Sequence, residues 1–304
     1  MKVAVTGATG FIGTALVGKL RERGDSVTVL TRNPERAKQL GEVTVIAAEL
    51  EEPGPWWDAL ASVDGIVHLA GEAIAGKRWD ARQKQIIRDS RVESTSMIVA
   101  AIAKAAVKPK VLVTASGADY YPFATDLTDF DDDAVTEADP PGDSFLGRLC
   151  RDWEKEARAA EAFGVRVVSM RTGLVIGPGG GLGKMVTPFK LFVGGRIGSG
   201  RQWMSWIHRD DVVAGYLAAL SDDRYKGPIN LVTDSVRNAV FAQTLGRVMH
   251  RPSWLPVPKF AIKAAAGELS EYILNGRKVV PKQLLDLGFT WQHRELAEAL
   301  ASMT

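Results

Sequence analysis

The chain has a single cysteine, Cys150, and only four histidines among its 304 residues. One cysteine excludes an intramolecular disulfide and a cysteine-rich metal site, and the histidines lack the spacing of metal ligands. The sequence also has no apolar run long enough to span a bilayer and no recognisable signal peptide. Because the net charge is only +2, nothing in the composition favours nucleic-acid binding. These absences predict a cytoplasmic globular protein, monomeric or homodimeric and without a metal, whose ligand is a small molecule rather than a nucleic acid or a membrane.

Several motifs of nucleotide, ion and acyl chemistry are missing as well. The glycine-rich run 177–184 has Pro178 where a nucleotide-triphosphate loop needs its first glycine. The acidic segment 126–133 lacks the turn glycine of a calcium loop, and Pro140 stands where the bidentate glutamate belongs, so we interpret it as a solvated loop. No Gly-x-Ser-x-Gly elbow exists, and we therefore expect Ser144 to cap a helix.

The amino-terminal run from Val3 to Gly13, VAVTGATGFIG, joins an apolar strand to three glycines and a helix. Gly7 permits a sharp turn, Gly10 lets the backbone approach a pyrophosphate, and Gly13 lets the helix pack against its strand. The helix start offers unpaired N–H groups and the positive end of its dipole to phosphates. The alternative is a turn that only joins strand to helix. The predicted cofactor contacts in this turn are Gly7, Thr9, Gly10, Phe11, Ile12 and Gly13.

The second predicted strand ends in Leu30-Thr31-Arg32-Asn33. Proteins that bind NAD usually place an acidic residue here, on the 2′-hydroxyl of the ribose. The guanidinium of Arg32 instead favours the 2′-phosphate of NADP(H), to which it can present directed donors. We therefore predict NADP(H) as the cofactor, with Thr31 and Arg32 beside it; the alternative is a solvated loop arginine.

Apolar runs of strand length alternate with helical patterns along the first two thirds of the chain. This alternation predicts an α/β fold with a doubly wound parallel sheet of the Rossmann type. From about residue 236 the pattern changes to short helices broken by prolines, which predicts an NADP-binding domain over 1–235 and a smaller C-terminal capping domain over 236–304. The predicted strands are 3–5, 27–30, 43–47, 65–69, 110–114 and 165–170.

Ligands of such a sheet bind at the carboxyl ends of the strands. Large apolar side chains further along the chain are typical of a substrate pocket, although the tryptophans could also pack the cap against the sheet. We expect His68, at the end of a buried strand, to be a hydrogen-bonded core residue, and Asp210 or Asp211 to cap a helix after His208. The remaining predicted cofactor contacts are Glu49, Leu50, Leu69, Ala70, Gly71, Glu72, Thr114, Ala115, Arg171, Thr172, Gly173 and Leu174. The predicted pocket residues are Gln202, Trp203 and Trp206.

Many of these segments, in this order, resemble the extended short-chain dehydrogenase/reductases, and more narrowly the atypical epimerase-family proteins with a C-terminal domain of unknown function. The resemblance covers essentially the whole chain and implies the fold and the cofactor class rather than the reaction. It is carried by the glycine turn, His68-Leu69-Ala70-Gly71-Glu72-Ala73-Ile74, Arg78-Trp79, Ser116 with Tyr120-Tyr121, Phe145-Leu146, Trp153-Glu154, Gly198 to Trp203, Trp206-Ile207-His208, Arg251-Pro252, Pro256 to Pro258, Gly267-Glu268, Pro281, Leu284-Leu285 and Gly288-Phe289.

The chain departs from that superfamily in its acid/base chemistry. Ordinary members use a Tyr-x-x-x-Lys pair, in which the lysine lowers the pKa of the tyrosine so that the phenol can exchange a proton with the substrate. None of the five tyrosines here has a lysine four residues on, and Phe145 stands in the segment expected to supply the donor. Standard sugar epimerisation or dehydration is therefore disfavoured.

Three functional hypotheses remain. The first is an NADP(H)-dependent oxidoreductase that acts on a small carbonyl or alcohol. In it Ser116 polarises the carbonyl and Tyr120 or Tyr121 donates the proton, with Cys150 or an ordered water as poorer donors; alternatively, the tyrosines only form the wall of the pocket. The second is a nucleotide-sugar epimerase or dehydratase. The third is a non-catalytic sensor that binds NADP(H).

Overall fold

A computed structural model describes residues 1–123, 134–180 and 183–303, so the acidic segment 126–133 lies outside the described residues. The strands are β1 (Lys2–Thr6), β2 (Ser26–Thr31), β3 (Thr44–Ala47), β4 (Gly65–His68), β5 (Val111–Gly117), β6 (Ala134–Val135), β7 (Arg166–Thr172), β8 (Leu174–Ile176), β9 (Trp203–His208), β10 (Gly227–Leu231), β11 (Asp234–Arg237) and β12 (Lys278–Val279). The α-helices are α1 (Phe11–Glu22), α2 (Pro34–Ala37), α3 (Trp56–Leu60), α4 (Ala81–Lys104), α5 (Phe145–Arg158), α6 (Gly183–Lys190), α7 (Arg209–Ser221), α8 (Asn238–Val248), α9 (Lys259–Ala266), α10 (Ser270–Leu274), α11 (Lys282–Asp286) and α12 (Leu296–Ala301).

The central sheet has seven parallel strands in the order β10-β7-β5-β4-β1-β2-β3. This confirms the predicted doubly wound sheet, and all six predicted strands belong to it. The chain order reverses between β1 and β4, which is where ligands bind in sheets of this kind. The seventh strand, β10, was not predicted; it begins with Gly227 and Pro228 and lies at the sheet edge, where proline is tolerated.

Alternating side chains of the strands feed two apolar cores, one on each face of the sheet. Val3 and Val5 pack with Leu16 of α1 on one face. Ala4 lies in the opposite core, together with Ile98 of α4. Burial on both faces explains why the parallel strands are continuous apolar runs. No helix in the described part of the chain has the length and apolarity needed to cross a membrane.

The C-terminal region forms its own set of short helices, α8 to α12, and is attached to the sheet domain at several points. The predicted boundary at residue 235 falls inside β11, which pairs with β9. Strand β12 pairs with β6, and Leu284 and Trp291 belong to the same apolar core as β1 and α1. Buried carboxylates add to the attachment, since Asp211 accepts hydrogen bonds from the backbone N–H groups of Gln292 and His293.

Two predictions about helix caps have different outcomes. Ser144 caps α5 as expected, with its hydroxyl accepting the N–H of Gly147 at 3.1 Å. The cap of α7 is His208, whose Nδ1 accepts the N–H of Asp210, so the expectation that Asp210 or Asp211 caps this helix is wrong. Both aspartates lie in the first turn instead, where they suit the positive end of the helix dipole.

Candidate functional site

The glycine turn lies between β1 and α1, and each glycine has a distinct environment. Gly7 has φ +66°, and a Cβ there would lie 2.7 Å from the carbonyl carbon of Leu69. A Cβ on Gly13 would lie 2.2 Å from the carbonyl oxygen of Gly7, so only glycine lets α1 pack this close. A Cβ on Gly10 would meet only that same oxygen, at 3.2 Å, which leaves open space in front of the turn. Such space is what close approach of a pyrophosphate requires.

Positive charge accumulates around this open space. The first turn of α1 contains no acidic residue, and no described side chain caps it. Behind Gly71, at the end of β4, lies the guanidinium of Arg91, which is 8% exposed. It donates to two neutral acceptors, the carbonyl oxygen of Ile87 and the hydroxyl of Ser90. A buried cation with neutral partners and a helix N-terminus together favour an anionic ligand at the reversal point of the sheet.

Two of the predicted cofactor contacts, Thr31 and Arg32, stand at the end of β2. The hydroxyl of Thr31 accepts the N–H of Asn33, which fixes the start of the loop. Arg32 is exposed, and its charge reaches Glu72 after β4. The pKa of Glu72 is lowered, mainly by its hydrogen bond from Lys77 and to a smaller extent by Arg32. The position of Arg32 is therefore compatible with a phosphate placed between the ends of β2 and β4.

The other predicted cofactor contacts fall into two groups. The side chains of Leu50, Thr114 and Arg171 are buried in the protein interior, and the contact of these residues with the cofactor stays a prediction. The ring of Phe11 packs against Gly180 of the glycine-rich run, where a Cβ would lie 2.7 Å from it. The predicted contacts that remain at least partly exposed at the turn and the strand ends are Thr9, Ile12, Glu49, Leu69, Ala70, Gly71, Glu72, Ala115, Thr172, Gly173 and Leu174.

His68 is a hydrogen-bonded core residue, as predicted. Its Nδ1 lies 2.7 Å from the hydroxyl of Thr6 and its Nε2 lies 3.2 Å from the hydroxyl of Ser94. Burial, assisted by the charge of Arg91, lowers the pKa of the imidazole to about 3. A neutral ring with a hydroxyl partner at each nitrogen holds the end of β4 in place.

Two of the three predicted catalytic hydroxyls, those of Ser116 and Tyr121, belong to a buried network of hydrogen bonds. Ser116 donates to Glu154 at 2.7 Å, and Glu154 accepts two hydrogen bonds from Arg171, at 2.8 and 2.9 Å. Arg171 also donates to the phenol oxygen of Tyr121, which in turn donates to Asn230 at 2.6 Å. The protons of both hydroxyls are therefore engaged inside the protein. This geometry favours the packing alternative for Tyr121 and disfavours the role predicted for Ser116.

Tyr120, which bears the third predicted hydroxyl, is not among the residues that line the cavity beside the ends of β5 and β7. The guanidinium carbon of Arg171 lies 3.4 Å from the centroid of the Tyr120 ring. The rings of Tyr120 and Tyr121 meet edge to face. Burial raises the pKa of the Tyr120 phenol. Cys150 is buried as well, and the pKa of its thiol rises to about 12 because of burial and the nearby carboxylates of Asp119 and Glu154.

A cavity of about 370 Å³ opens beside the ends of β5 and β7. Of the predicted pocket residues, Trp203 lines it, but Gln202 and Trp206 do not. Trp206 is buried in the core of the C-terminal region, and the amide of Gln202 donates to the carbonyls of Ile197 and Ile273. The prediction is thus corrected for both residues, and Trp206 takes the packing role named as its alternative. The lining from the sheet domain includes Ala118, Asp119, Tyr121, Thr172, Gly173, Leu174 and Val175.

Sequence reasoning missed the two charged residues of this cavity, Asp119 and Arg277. Asp119 follows the carboxyl end of β5, where burial raises the pKa of its carboxyl group to about 6. Arg277 precedes β12, and its Nε is buried without a hydrogen-bond partner among the described residues. A signal for Asp119 was present, since it stands between the predicted residues Ser116 and Tyr120. Nothing in the sequence around Arg277 indicated its position.

The fold also brings together two histidines that are far apart in sequence. The rings of His208 and His293 lie 3.7 Å apart between centroids, and Asp210 completes a group whose ligand atoms all lie within 4.8 Å. Sequence spacing could not have indicated this arrangement. Because Nδ1 of His208 accepts the N–H of Asp210, its Nε2 carries the proton and donates to Ser302. We attribute the group to capping of α7 and to attachment of the C-terminal segment.

Comparison with known proteins places these features in a family. The family model described as "NAD dependent epimerase/dehydratase family" matches residues 3–231. A second model, described as "Domain of unknown function (DUF1731)", matches residues 257–303. The chain is 40% identical over its whole length to "Epimerase family protein SDR39U1 homolog, chloroplastic" of Arabidopsis thaliana, and the match covers 86% of that protein. It is 36% identical, again over its whole length, to "Epimerase family protein YfhF" of Bacillus subtilis, 98% of which is covered.

Two solved structures have folds similar to that of this chain. The crystal structure of human epimerase family protein SDR39U1 with NADPH has a TM-score of 0.83 and 34% identity, and the match covers 100% of this chain and 99% of that one. MoeE5 in complex with UDP-glucuronic acid and NAD shares the fold, with a TM-score of 0.80 and 24% identity over 100% of this chain and 97% of that one. With its open glycine turn at the reversal point of a seven-stranded parallel sheet, the chain belongs to the NAD dependent epimerase/dehydratase family.

Proposed function

We propose that the protein is an NADP(H)-dependent oxidoreductase that acts on a small carbonyl or alcohol compound bound in the cavity. The observation that carries this proposal is that the glycine turn after β1 and the cavity beside β5 and β7 lie at one edge of the sheet. Neighbouring strands lie about 4.8 Å apart, and only β4 separates β1 from β5. The strands that lead to the turn and to the near wall of the cavity are therefore about 10 Å apart within the sheet, which suits a ligand that extends from one to the other.

The residues at this edge fit the groups of such a cofactor. In the proposal, the N–H groups at the start of α1 bind the pyrophosphate, the charge of Arg91 assists them, and Arg32 binds the 2′-phosphate. NADPH supplies a hydride when bound. The apolar cavity wall excludes water and orients the substrate carbonyl. NADPH in the human relative supports this choice of cofactor.

The proposal is tested by following NADPH oxidation against a panel of carbonyl compounds. Specific turnover of one class is the expected result. Turnover of nucleotide sugars with retention of the cofactor's redox state would instead favour an epimerase, which the missing Tyr-x-x-x-Lys pair disfavours. Tight NADPH binding with no turnover of any compound would favour the sensor.

Replacing Arg32 with aspartate should remove the preference for NADP(H). We expect the unmutated protein to bind NADPH at least tenfold more tightly than NADH, which corresponds to ~1.4 kcal/mol. Loss of the guanidinium and gain of a carboxylate next to the 2′-phosphate should erase or invert that ratio. Calorimetric titration with both cofactors measures it, and Arg36→Asp, on the exposed surface of α2, is the matched control. Equal affinities in the unmutated protein would contradict the assignment.

The hydroxyls of Ser116 and Tyr121 are expected to matter for stability rather than for the reaction. Because each donates to a buried acceptor, Ser116→Ala and Tyr121→Phe should each lower the free energy of unfolding by about 1–3 kcal/mol. Single-turnover hydride transfer should change less than about tenfold in either variant, and in Tyr120→Phe. Loss of transfer beyond a hundredfold in Ser116→Ala, with stability unchanged, would restore Ser116 as the polarising group.

A further inference from the structure

Asp119 and Arg277 are the two charged residues among the described residues that line the cavity. They come from different parts of the fold. Asp119 lies in the short turn at the carboxyl end of β5, and Arg277 lies just before β12 in the C-terminal region. The remaining lining is mostly apolar or uncharged, and includes Leu174, Val175 and Trp203. Because most of the lining is uncharged, these two side chains are the groups best able to orient a polar or charged ligand in the cavity.

The two side chains do not neutralise each other. Neither forms an ion pair within 4 Å with any described residue, and burial alone accounts for the raised pKa of the Asp119 carboxyl group. The titratable groups facing Asp119 are Cys150 of α5 and Tyr272 of α10. The pKa values of both are raised by burial, so both are uncharged near neutral pH. Asp119 therefore keeps its proton well above the pH at which an ordinary aspartate loses it.

Arg277 is partly exposed, but the Nε of its guanidinium is buried. Its Nε has no hydrogen-bond partner in the described part of the chain, although buried polar groups are nearly always paired. Close packing holds the backbone beside it, because a Cβ on Gly276 would lie 2.1 Å from the carbonyl oxygen of Trp203. An arginine held in this way, on a cavity wall, offers directed donors to a carboxylate or a phosphate.

We propose, building on the oxidoreductase function proposed above, that the substrate is a carbonyl compound that also carries an anionic group. Arg277 binds the carboxylate or phosphate, and Asp119 donates its carboxyl proton to the carbonyl oxygen. In reduction, the carbonyl carbon gains a hydride from NADPH, the C=O π bond becomes an O–H bond, and NADP⁺ and an alcohol are formed. Asp119 is left as a carboxylate and takes a proton from solvent. In oxidation it accepts the proton of the alcohol.

The binding half of the proposal is tested without turnover. Calorimetry on the protein loaded with NADP⁺ compares benzoylformate with methyl benzoylformate, and dihydroxyacetone phosphate with dihydroxyacetone. We expect one charged probe to bind at least tenfold more tightly than its neutral partner, and the two pairs distinguish a carboxylate from a phosphate. Arg277→Met should abolish that preference, whereas Arg247→Met, on the exposed surface of α8, should not. Equal affinities within both pairs, failure of both charged probes to bind, or a preference that survives Arg277→Met would overturn the assignment.

The catalytic half is tested by the pH dependence of single-turnover reduction. We expect the rate to fall as the pH rises through about 6, because the donor must be protonated. Asp119→Asn should lower kcat by about a hundredfold or more and remove this pH dependence, since an amide cannot donate as an acid. Asp119→Glu should restore part of the rate, and Asp143→Asn, exposed before α5, is the matched control.

The outcomes separate this inference from the proposed function. Turnover in the unmutated protein with full activity in Asp119→Asn would reject Asp119 as the donor and leave the oxidoreductase intact. NADPH binding without turnover of any carbonyl compound would reject the oxidoreductase. In that case the calorimetric preference for a charged probe still decides whether Arg277 forms an anion site. NADPH affinity in Asp119→Asn should equal that of the unmutated protein; its loss would indicate a misfolded turn rather than a missing acid.

Discussion

Replacing Gly10 with valine should abolish NADPH binding while the protein stays folded. Gly10 has φ −83° and ψ 176°, an extended conformation that valine adopts readily. The new Cβ meets only the Gly7 carbonyl oxygen, at 3.2 Å, so the protein needs to adjust by a few tenths of an ångström. The methyl groups would occupy the space through which the pyrophosphate approaches. We expect the affinity to fall at least about a hundredfold, or ~2.8 kcal/mol, as measured by NADPH fluorescence.

The neighbouring glycine supplies the contrast that makes this result interpretable. A Cβ on Gly13 would lie 2.2 Å from the Gly7 oxygen and 2.7 Å from the Cα of Ala8, both of them backbone atoms. Gly13→Ala should therefore destabilise the fold by about 3 kcal/mol or more through overpacking. Circular dichroism during urea unfolding distinguishes the two variants. Normal NADPH binding by the folded Gly10→Val protein would move the phosphate site elsewhere.

Replacing Glu154 with glutamine should cost about 3–5 kcal/mol of stability, the largest loss we expect from a change that keeps the shape of a side chain. Glu154 accepts two hydrogen bonds from Arg171 and one from Ser116, and both charged side chains are less than 10% exposed. Removing the carboxylate charge leaves the buried guanidinium without a counter-ion. Urea unfolding of the variant and of the unmutated protein measures the loss.

Two further variants test whether the buried, unpaired guanidinium causes the loss of stability. Asp223 is paired with Arg166 but is 97% exposed, so Asp223→Asn should change the free energy of unfolding by less than about 1 kcal/mol. The double variant Glu154→Leu with Arg171→Met should recover much of the loss, because apolar replacement of both partners avoids an unpaired buried charge. A loss below 1 kcal/mol in Glu154→Gln would mean that water reaches the pair.

Most of the fold could be predicted because its signals are local. Buried parallel strands are short apolar runs, and the glycine turn fixes the first strand, the first helix and the point between them that faces the ligand. The strand β10 escaped prediction because Gly227, Pro228 and Asn230 interrupt its apolar pattern. Its place in the sheet depends on pairing with β7, more than fifty residues earlier, which no local pattern reports.

The site was less predictable because exposure depends on neighbours that are distant in sequence. At the end of β7, which is buried on both faces, Arg171 lies in the interior and Thr172 is partly exposed. The sequence does not say which of the two faces the crevice. On β9, the sequence likewise does not say which tryptophan faces the cavity. Trp203 lines it, whereas Trp206 is buried in the core. Arg277 reaches the cavity only because the C-terminal region folds back over the sheet.

The attachment of the C-terminal region to the first core has a consequence for biosynthesis. Val3 and Val5 share their core with Leu284 and Trp291, which follow them by about 280 residues along the chain. Asp211 likewise receives its backbone donors from residues 292 and 293. Until residues 284–293 have been synthesised, the nascent chain therefore has an incomplete core, and Asp211 lacks these two backbone donors. We expect the nascent chain to become resistant to protease only after residues 284–293 have emerged from the ribosome.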